Sequence, residues 1–273
     1  MESVILHLAL FLIGFFGTKL IIPLFKNMLV NSNIVRPNYK GDMIPVCMGI
    51  VFLPMLIINA VLLILLREVN MVYLLLFVLG SISMFFIGSL DDIIGNRNVS
   101  GLKGHFKSLF KGELTTGGFK ALFGGFIGVL IASAISYKIT DVVIGTLIIA
   151  LSTNLMNLLD LRPGRAIKGY LAIMVSLLLI LKNENVKTLS LLILPNVLAY
   201  FNLDLKAKSM MGDTGSNVLG ISIGILIVMG CSLKVRVGWL IFLILMHLLT
   251  EKYSLTKIIE NNKVLNYIDN LGR

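Results

Sequence analysis

The sequence predicts an all-α, polytopic integral membrane protein of about nine transmembrane helices. Of its 273 residues, 57% are hydrophobic and 14% are charged, whereas soluble domains average about 45–50% and about 25%. The apolar residues are gathered into runs of about 15–23, the length that spans the hydrocarbon core of a bilayer. A soluble fold of this size could not bury so much apolar surface. We therefore place the chain in the cell membrane as a multi-pass protein.

Polar segments separate nine apolar runs, which we interpret as the membrane spans. They cover residues 3–25, 46–66, 71–90, 119–136, 141–159, 168–182, 187–201, 215–233 and 235–250. We accordingly divide the chain into a transmembrane domain over 1–250 and a cytoplasmic tail over 251–273.

The distribution of basic residues predicts the orientation of these spans. Seventeen of the 24 Lys and Arg residues lie in or beside the loops that follow odd-numbered spans and in the tail, and six lie in the opposite loops. Loops rich in Lys and Arg remain in the cytoplasm. The N-terminus is therefore expected outside and the C-terminus inside. The net charge of +10 reflects this topology and an anionic substrate, so we expect no nucleic-acid partner.

The tail carries apolar residues at helical spacing, which predicts an amphipathic helix. Such a helix would lie on the inner leaflet or cover the polar face of the protein from below. The stripe consists of Ile258, Ile259, Val264, Leu265, Ile268 and Leu271.

Two adjacent acids, Asp91 and Asp92, close the third span in the segment FFIGSLDDIIGN. Ionisable groups at the ends of apolar spans are costly and commonly functional. Neighbouring carboxylates repel each other unless a cation offsets them, and Mg²⁺ prefers oxygen ligands and bridges phosphates. The alternative is a pair of acids that simply faces water at a helix end.

Three polar side chains, Asn154, Asn157 and Asp160, follow one another at intervals of three residues near the end of the fifth span. This spacing places them along one side of a helix and predicts that they line a polar cavity. The alternative is hydrogen bonding between packed spans.

The segment SMMGDTGSNVLG opens the eighth span and contains Asp213. Its glycines predict a tight turn into a helix N-terminus, where the backbone N–H groups of Gly212 to Thr214 would face an anion. Asp213 would then hold the metal that shares this anion. The alternative is that Asp213 or Thr214 is an ordinary N-cap.

Basic residues on the same predicted face indicate a polyphosphate substrate, although lipid headgroups are an alternative partner for most of them. They are Lys40, Lys103, Lys107, Arg162, Arg165, Lys206 and Lys208.

Four segments, in this order, resemble the polyprenyl-phosphate N-acetylhexosamine-1-phosphate transferases (glycosyltransferase family 4). This family includes phospho-MurNAc-pentapeptide transferase and the undecaprenyl-phosphate GlcNAc-1-phosphate transferases, and the chain would be a divergent member. The segments are VRPNYKGDMIPVCMGIVFL, GSLDDIIG, NLMNLLD and AKSMMGDTGSNVLG. The last is the most specific, and the resemblance covers about residues 3–233.

The resemblance implies an Mg²⁺-dependent enzyme, with Mn²⁺ as the alternative metal, whose transferase domain is residues 1–250. It would transfer a sugar-1-phosphate from a nucleotide-diphosphate sugar to polyprenyl (undecaprenyl) phosphate, an initiating step of cell-envelope glycan synthesis. By resemblance, Asp91 and Asp213 would hold the metal, and Asp92 would orient or deprotonate the lipid phosphate. Expected partners are the two substrates and membrane lipids, and a homodimer is an option.

The remaining residues are expected to bind substrate, with Asn157 and Asp160 at the nucleotide end. The full predicted set is Lys40, Asn154, Asn157, Asp160, Arg165, Lys208, Gly212 and Thr214.

The chain departs from the family where the donor would be recognised. The family pattern Asp-Gly-x-Asp-Gly reads Asp160-Leu-Arg-Pro-Gly164 here, so its second acid is missing, and a histidine cluster of the last cytoplasmic loop is absent. We therefore expect Arg162 and Arg165 to contact donor phosphates or an acidic sugar. The alternative is that both anchor the loop to anionic lipid.

Two other functions compete with the transferase. One is a non-catalytic or repurposed family member that binds or moves a lipid-linked phosphate, and the other is an unrelated secondary transporter. Transporters commonly show internal repeats and place their polar sites near mid-membrane. The acids here lie at the ends of spans on one side, which favours an enzyme or a binding protein.

Overall fold

A computed structural model describes residues 2–95, 108 and 112–273. The described residues are almost entirely helical. The helices are α1 (Glu2–Asn31), α2 (Phe52–Leu66), α3 (Met71–Ile94), α4 (Thr116–Ile135), α5 (Ile139–Leu159), α6 (Arg165–Ile180), α7 (Glu184–Ser190), α8 (Leu194–Leu205), α9 (Gly212–Gly230), α10 (Leu233–Lys252), α11 (Leu255–Asn261) and α12 (Lys263–Asn270).

The prediction of an all-α polytopic membrane protein is confirmed. In the described part of the chain, eight helical segments are long and apolar enough to cross a membrane, α7 and α8 forming one of them together. The sixth predicted span corresponds to α6, which has only 16 residues. Each of the nine predicted apolar runs thus coincides with a helix or a helix pair.

A short hairpin interrupts the helices between α1 and α2. Its strands, β1 (Val35–Pro37) and β2 (Met43–Pro45), are antiparallel, and a 3₁₀ turn follows over Met48–Val51. This connection packs on the start of α9, because the Gly49 amide donates to the Met211 carbonyl at 2.9 Å. The hairpin therefore brings the first loop to the N-terminus of α9.

Helix α9 lies at the centre of the bundle, with α3 and α5 against it. In its most apolar stretch 83% of the residues are buried, against 6% for α10 at the periphery. Close approach depends on glycine, since a β-carbon at Gly220 of α9 would clash with the backbone of Thr153 in α5. Small residues at such contacts let membrane helices pack closely. The central position of α9 makes its N-terminus the meeting point of the neighbouring helix ends.

The residues after α10 fold back on the bundle. Helices α11 and α12 form the tail predicted to be helical, and Asp269 of α12 pairs with Arg165 at the start of α6. The tail therefore packs against the protein itself on the side where α6 begins.

The orientation of the bundle remains a prediction, and reporter fusions test it. We expect a reporter fused after Arg273 to be cytoplasmic and one fused before Glu2 to be outside, because most basic residues lie on the C-terminal side. Reporters found on the same side of the membrane would contradict the odd number of spans.

Candidate active site

The ends of four helices meet on one face of the bundle and carry the polar cluster. Asp91 and Asp92 lie in the last turn of α3, and Asp213 in the first turn of α9. Lys120 comes from the first turns of α4, and Asn157 from the last turn of α5. The structure thus brings together the three acids that the sequence singled out.

The Lys120 ammonium lies between two of these acids. Its Nζ is 3.0 Å from Oδ2 of Asp91 and also donates to Oδ2 of Asp213. The side chains of all three residues are 19–23% exposed. A positive charge therefore already offsets the repulsion between the two carboxylates.

Asn157 completes the surroundings of this ammonium. With its amide nitrogen facing the acid, Asn157 donates to Oδ1 of Asp213 at 2.8 Å and accepts from Nζ of Lys120 at 3.0 Å. Oxygens of two carboxylates and one amide then surround a single cationic group. Asn157 thus does more than join two packed helices, because it binds directly to Asp213 and Lys120 of the cluster.

Asp92 has a different environment and caps α9. Its Oδ1 accepts from the Asp213 amide at 2.9 Å, and its Oδ2 accepts from the Thr214 amide at 2.9 Å and the Thr214 hydroxyl at 2.6 Å. Gly212, with φ of +73°, lies so close that a β-carbon there would be 2.7 Å from Oδ1 of Asp92. Only glycine fits this turn easily.

This arrangement changes the interpretation of Gly212 and Thr214. Both were predicted to bind the substrate anion, yet the Asp213 and Thr214 amides donate to Asp92 and the Gly212 amide donates to Asp160. A carboxylate at a helix N-terminus fills the place that a phosphate would take. In this structure the turn consequently positions α9 against α3 rather than presenting free amides.

Arg36, like Lys120, was not among the site residues predicted from the sequence. Its Nη2 in β1 donates to the Asp92 carbonyl at 2.7 Å, at the C-terminal end of α3 where carbonyls lack helical partners. The hairpin therefore adds a fixed positive charge next to the acids.

Asp160 lies at the C-terminal end of α5, where several acids crowd together. Burial, the Asp204 carboxylate and the charges of Asp213 and Asp92 raise the pKa of Asp160 well above its usual range. A Gly212 backbone hydrogen bond opposes this shift. The surroundings of Asp160 therefore oppose its ionisation, and its carboxyl group accepts from the backbone at the turn into α9.

Three other predicted substrate ligands lie outside the hydrogen-bonded cluster. Lys40 and Lys208 are exposed on two loops that touch, since Asn38 Nδ2 donates to the Ala207 carbonyl at 3.2 Å. Asn154 is also exposed and makes no hydrogen bond to the described residues. Lys103 and Lys107 fall outside the residues that the structure describes. The lysines remain available to an anion, whereas Asn154 is not bonded to the cluster in the described part of the chain.

Arg165 is placed differently from its predicted role. Its guanidinium is 5% exposed, forms a bidentate pair with Asp269 and donates to Oγ1 of Thr256 at 3.0 Å. All three of its nitrogens are thus bonded to the tail, and none is free for a donor phosphate or a lipid headgroup. Arg162, in an exposed pair with Glu260 at 3.5 Å, keeps its charge at the surface.

The residues around Lys120 have the chemistry of a cation site. Among the described residues, no group of three or more His, Cys, Asp or Glu side chains is arranged to hold a metal. Mg²⁺, however, commonly binds through one or two carboxylates together with substrate phosphates and water. Asp91 and Asp213 already share a cation, so this donor set fits Mg²⁺ when a phosphate substrate supplies the remaining oxygens.

The position of Asp213 depends on close packing at Gly88, which gives a testable prediction. A β-carbon at Gly88 would lie 2.6 Å from Cα of Thr214. Gly88→Ala should therefore push α9 away and destabilise the fold by about 1–3 kcal/mol. Misplacing catalytic groups by about 1 Å can cost about a hundredfold in rate.

The matched control is Gly125→Ala in α4, where no described atom lies within 4 Å of the added carbon. Thermal unfolding and turnover should match the wild type for Gly125→Ala and fall for Gly88→Ala. Equal behaviour of the two variants would contradict the close packing of α3 on α9.

Comparison with known proteins supports a common origin for this region. The model of a family described as glycosyl transferase family 4 matches residues 74–231. The match covers more than half of the chain, from the start of α3 to the end of α9, and so contains every acid of the cluster. A search of curated proteins found no significant match.

Proposed function

The chain belongs to glycosyl transferase family 4, and from this premise we propose which reaction it catalyses. Members of this family are membrane transferases that pass phospho-sugars to polyprenyl phosphate, so the chain is a phospho-sugar transferase in general terms. We propose that it transfers a sugar-1-phosphate from a nucleotide-diphosphate sugar to polyprenyl phosphate, with Mg²⁺, at the cytoplasmic face of the cell membrane. This would be an initiating step of envelope glycan synthesis. The observation that carries the proposal is the cation-centred cluster of Asp91, Asp213, Asn157 and Lys120.

The proposed reaction exchanges one phosphoanhydride for another. A non-bridging oxygen of the lipid phosphate attacks the β-phosphorus of the donor and forms a new P–O bond. The bond between that phosphorus and the oxygen bridging to the α-phosphate breaks, and the nucleoside monophosphate leaves with the bonding electrons. Lipid diphospho-sugar and nucleoside monophosphate are the products. The protein must mainly bring two anions together and offset their charge.

The cluster provides this charge compensation at the membrane edge. Lys120 and Arg36 are held close to the acids, and Lys40 and Lys208 are exposed on the two loops beside them. A lipid phosphate entering from the inner leaflet and a soluble donor would both meet positive charge there. We propose that Lys120 turns from Asp91 and Asp213 towards a substrate phosphate on binding.

Asp91 and Asp213 would hold Mg²⁺, which supplies charge neutralisation and alignment of the phosphate oxygens when bound. We propose that Asp92 acts differently from the expectation that it orients or deprotonates the lipid phosphate. Both of its oxygens are bonded to the start of α9. Asp92 would therefore hold Asp213 in position rather than contact the lipid phosphate. A phosphate monoester with a second pKa near 6 is largely ionised at neutral pH and needs no base to attack.

A donor screen tests the proposal. Purified protein is supplied with polyprenyl phosphate, Mg²⁺ and a panel of nucleotide-diphosphate sugars, and nucleoside monophosphate release is measured. We expect release with at least one donor, only when the lipid phosphate is present, and its loss in Asp91→Asn. Binding of polyprenyl phosphate without release from any donor would favour the alternative of a family member that only binds or moves the lipid.

A further inference from the structure

The tail is joined to the start of α6 by a buried ion pair. Oδ1 of Asp269 accepts from Nε of Arg165 at 2.7 Å, and Oδ2 accepts from Nη2 at 2.8 Å. The two side chains are only 5% and 6% exposed. Bidentate pairs of this kind fix the relative orientation of both groups. The pair therefore fixes the position of α12 against the start of α6.

Lys168 of α6 holds the same end of the tail. Nζ of Lys168 donates to the carbonyls of Ile268, Asp269 and Leu271 at 2.8 Å each. Carbonyls at a helix C-terminus have no helical partners and attract positive charge. Lys168 therefore caps α12 from α6.

Arg273 extends the contact to the segment that precedes α6. Its Nε donates to the Pro163 carbonyl at 2.9 Å, and its Nη2 lies 2.9 Å from Oδ1 of Asp269. Burial alone would raise the pKa of Asp269, but the hydrogen bonds and charges of Arg165 and Arg273 lower it. Asp269 is thus the common ligand of two arginines. We call Arg165, Asp269 and Arg273 the tail clasp.

A buried ion pair is weak evidence for stability, because desolvation opposes the attraction of the charges. Its geometric effect is clearer, since removing one partner leaves the other charge buried. The clasp links residues 104 positions apart in the chain. It therefore fixes the tail relative to the segment that precedes α6.

The segment held by the clasp leads directly to the acids of the active site. It runs from Asp160 to Gly164, and the Gly164 amide donates to Oδ2 of Asp204 at 2.8 Å. Asp160 accepts a hydrogen bond from the backbone of Gly212, at the turn into α9. A displacement at Pro163 would therefore shift Asp160, while Asp91 and Asp213 are held independently by α3, α4 and α9.

We propose that the tail clasp is a positioning device for the donor half of the active site. Asp269, through Arg165, and Arg273, through Pro163, hold residues 160–164 in the conformation that binds the nucleotide-diphosphate sugar. The inference rests on the proposed function and assigns to the tail a role in donor binding.

The clasp predicts a particular kinetic signature. Releasing the tail should weaken donor binding because residues 160–164 lose their support. The acids and Lys120 keep their own contacts, so the chemical step should change little. A rise in the donor KM with kcat largely retained indicates a lost ground-state contact.

The test compares two acids of the same tail. In Asp269→Asn the donor KM should rise roughly tenfold or more, with kcat within about threefold of the wild type and the KM for polyprenyl phosphate unchanged. Glu251→Gln removes the same charge from an exposed acid at the start of the tail and should behave as the wild type. A wild-type donor KM in Asp269→Asn would overturn the proposal.

Tail release is measured separately from activity, by the rate of trypsin cleavage after the exposed Lys257. We expect faster cleavage in Asp269→Asn and unchanged cleavage in Glu251→Gln. Faster cleavage combined with a wild-type donor KM would show that the clasp only anchors the tail, and would overturn the donor role. Wild-type protein that turns over no donor would instead contradict the proposed function, with trypsin still reporting on the clasp.

A conservative change protects the test against misfolding of the single variant. Asp269→Glu keeps the carboxylate that Arg165 and Arg273 share. We expect it to recover at least part of the donor KM and of the protection from trypsin relative to Asp269→Asn. A folded Asp269→Glu protein with wild-type protection but a donor KM as poor as that of Asp269→Asn would overturn the positioning role.

Discussion

Asp213→Asn should lower kcat by about two to three orders of magnitude. The acid contacts both Lys120 and Asn157, and with Asp91 it forms the proposed metal site. The substitution keeps the size of the side chain and leaves the Asp213 amide bonded to Asp92. The fold should therefore persist, while the carboxylate that would hold Mg²⁺ at the transferring phosphoryl group is lost.

The control for this change is Asp141→Asn. Asp141 lies in the first turn of α5, at the end opposite to Asn157, and so carries the same charge change to the other side of the bundle. Single-turnover rates and thermal unfolding should match the wild type for Asp141→Asn. An Asp213→Asn protein that retains a third or more of the wild-type kcat would exclude a catalytic role for Asp213.

Lys120→Met should reduce kcat/KM by about a hundredfold, because the ammonium between the two carboxylates is a preorganised charge at the reacting phosphates. Methionine has similar length and no charge, so the change leaves Asp91 and Asp213 facing each other without compensation. Added Mg²⁺ should then raise the melting temperature of Lys120→Met more than that of the wild type, since only the variant lacks an internal cation.

The matched control is Lys138→Met, at the exposed residue that precedes α5. It should show wild-type kinetics and a wild-type response to Mg²⁺. If Mg²⁺ shifts the melting temperatures of Lys120→Met and the wild type equally, the ammonium does not share a site with the metal. That result would remove Lys120 from the account of the metal site.

The sequence predicted the spans and the convergence of three acids because both depend on short-range signals. Membrane thickness fixes the length of an apolar run, and acids at the ends of spans on one side must lie on one face. Asp91 and Asp213 met these conditions, and Asn157 followed from the polar residues of α5. These features needed no knowledge of which helices touch.

Asn154 shows the limit of spacing arguments. Residues three apart on an α-helix are rotated by about 60°, so those six apart differ by about 120°. Asn157 bonds to Asp213 and Lys120, whereas Asn154, six residues before Asp160, is exposed. The three-residue interval correctly placed Asn157 in the polar cluster, but it did not show which other residues of the stripe contact the cluster.

Lys120 was counted only as a topology signal, although a lysine one turn inside an apolar helix is itself a functional indication. The predicted contact of Arg165 with the donor was not found for another reason. Its partner Asp269 lies far away in the chain, and tertiary packing alone decides whether a guanidinium meets a substrate or an acid. The amides after Gly212 were likewise assigned to phosphate, because nothing local shows that Asp92 reaches them.

The most direct measurement of the central claim follows the β-phosphorus of the donor. A nucleotide-diphosphate sugar labelled with ³²P at the β-position is incubated with purified protein, Mg²⁺ and polyprenyl phosphate. Transfer of sugar-1-phosphate predicts that the label enters the lipid fraction while unlabelled nucleoside monophosphate is released, and that Asp213→Asn abolishes both. Label that remains in a nucleoside diphosphate while sugar enters the lipid would contradict the account, as would label that never leaves the donor.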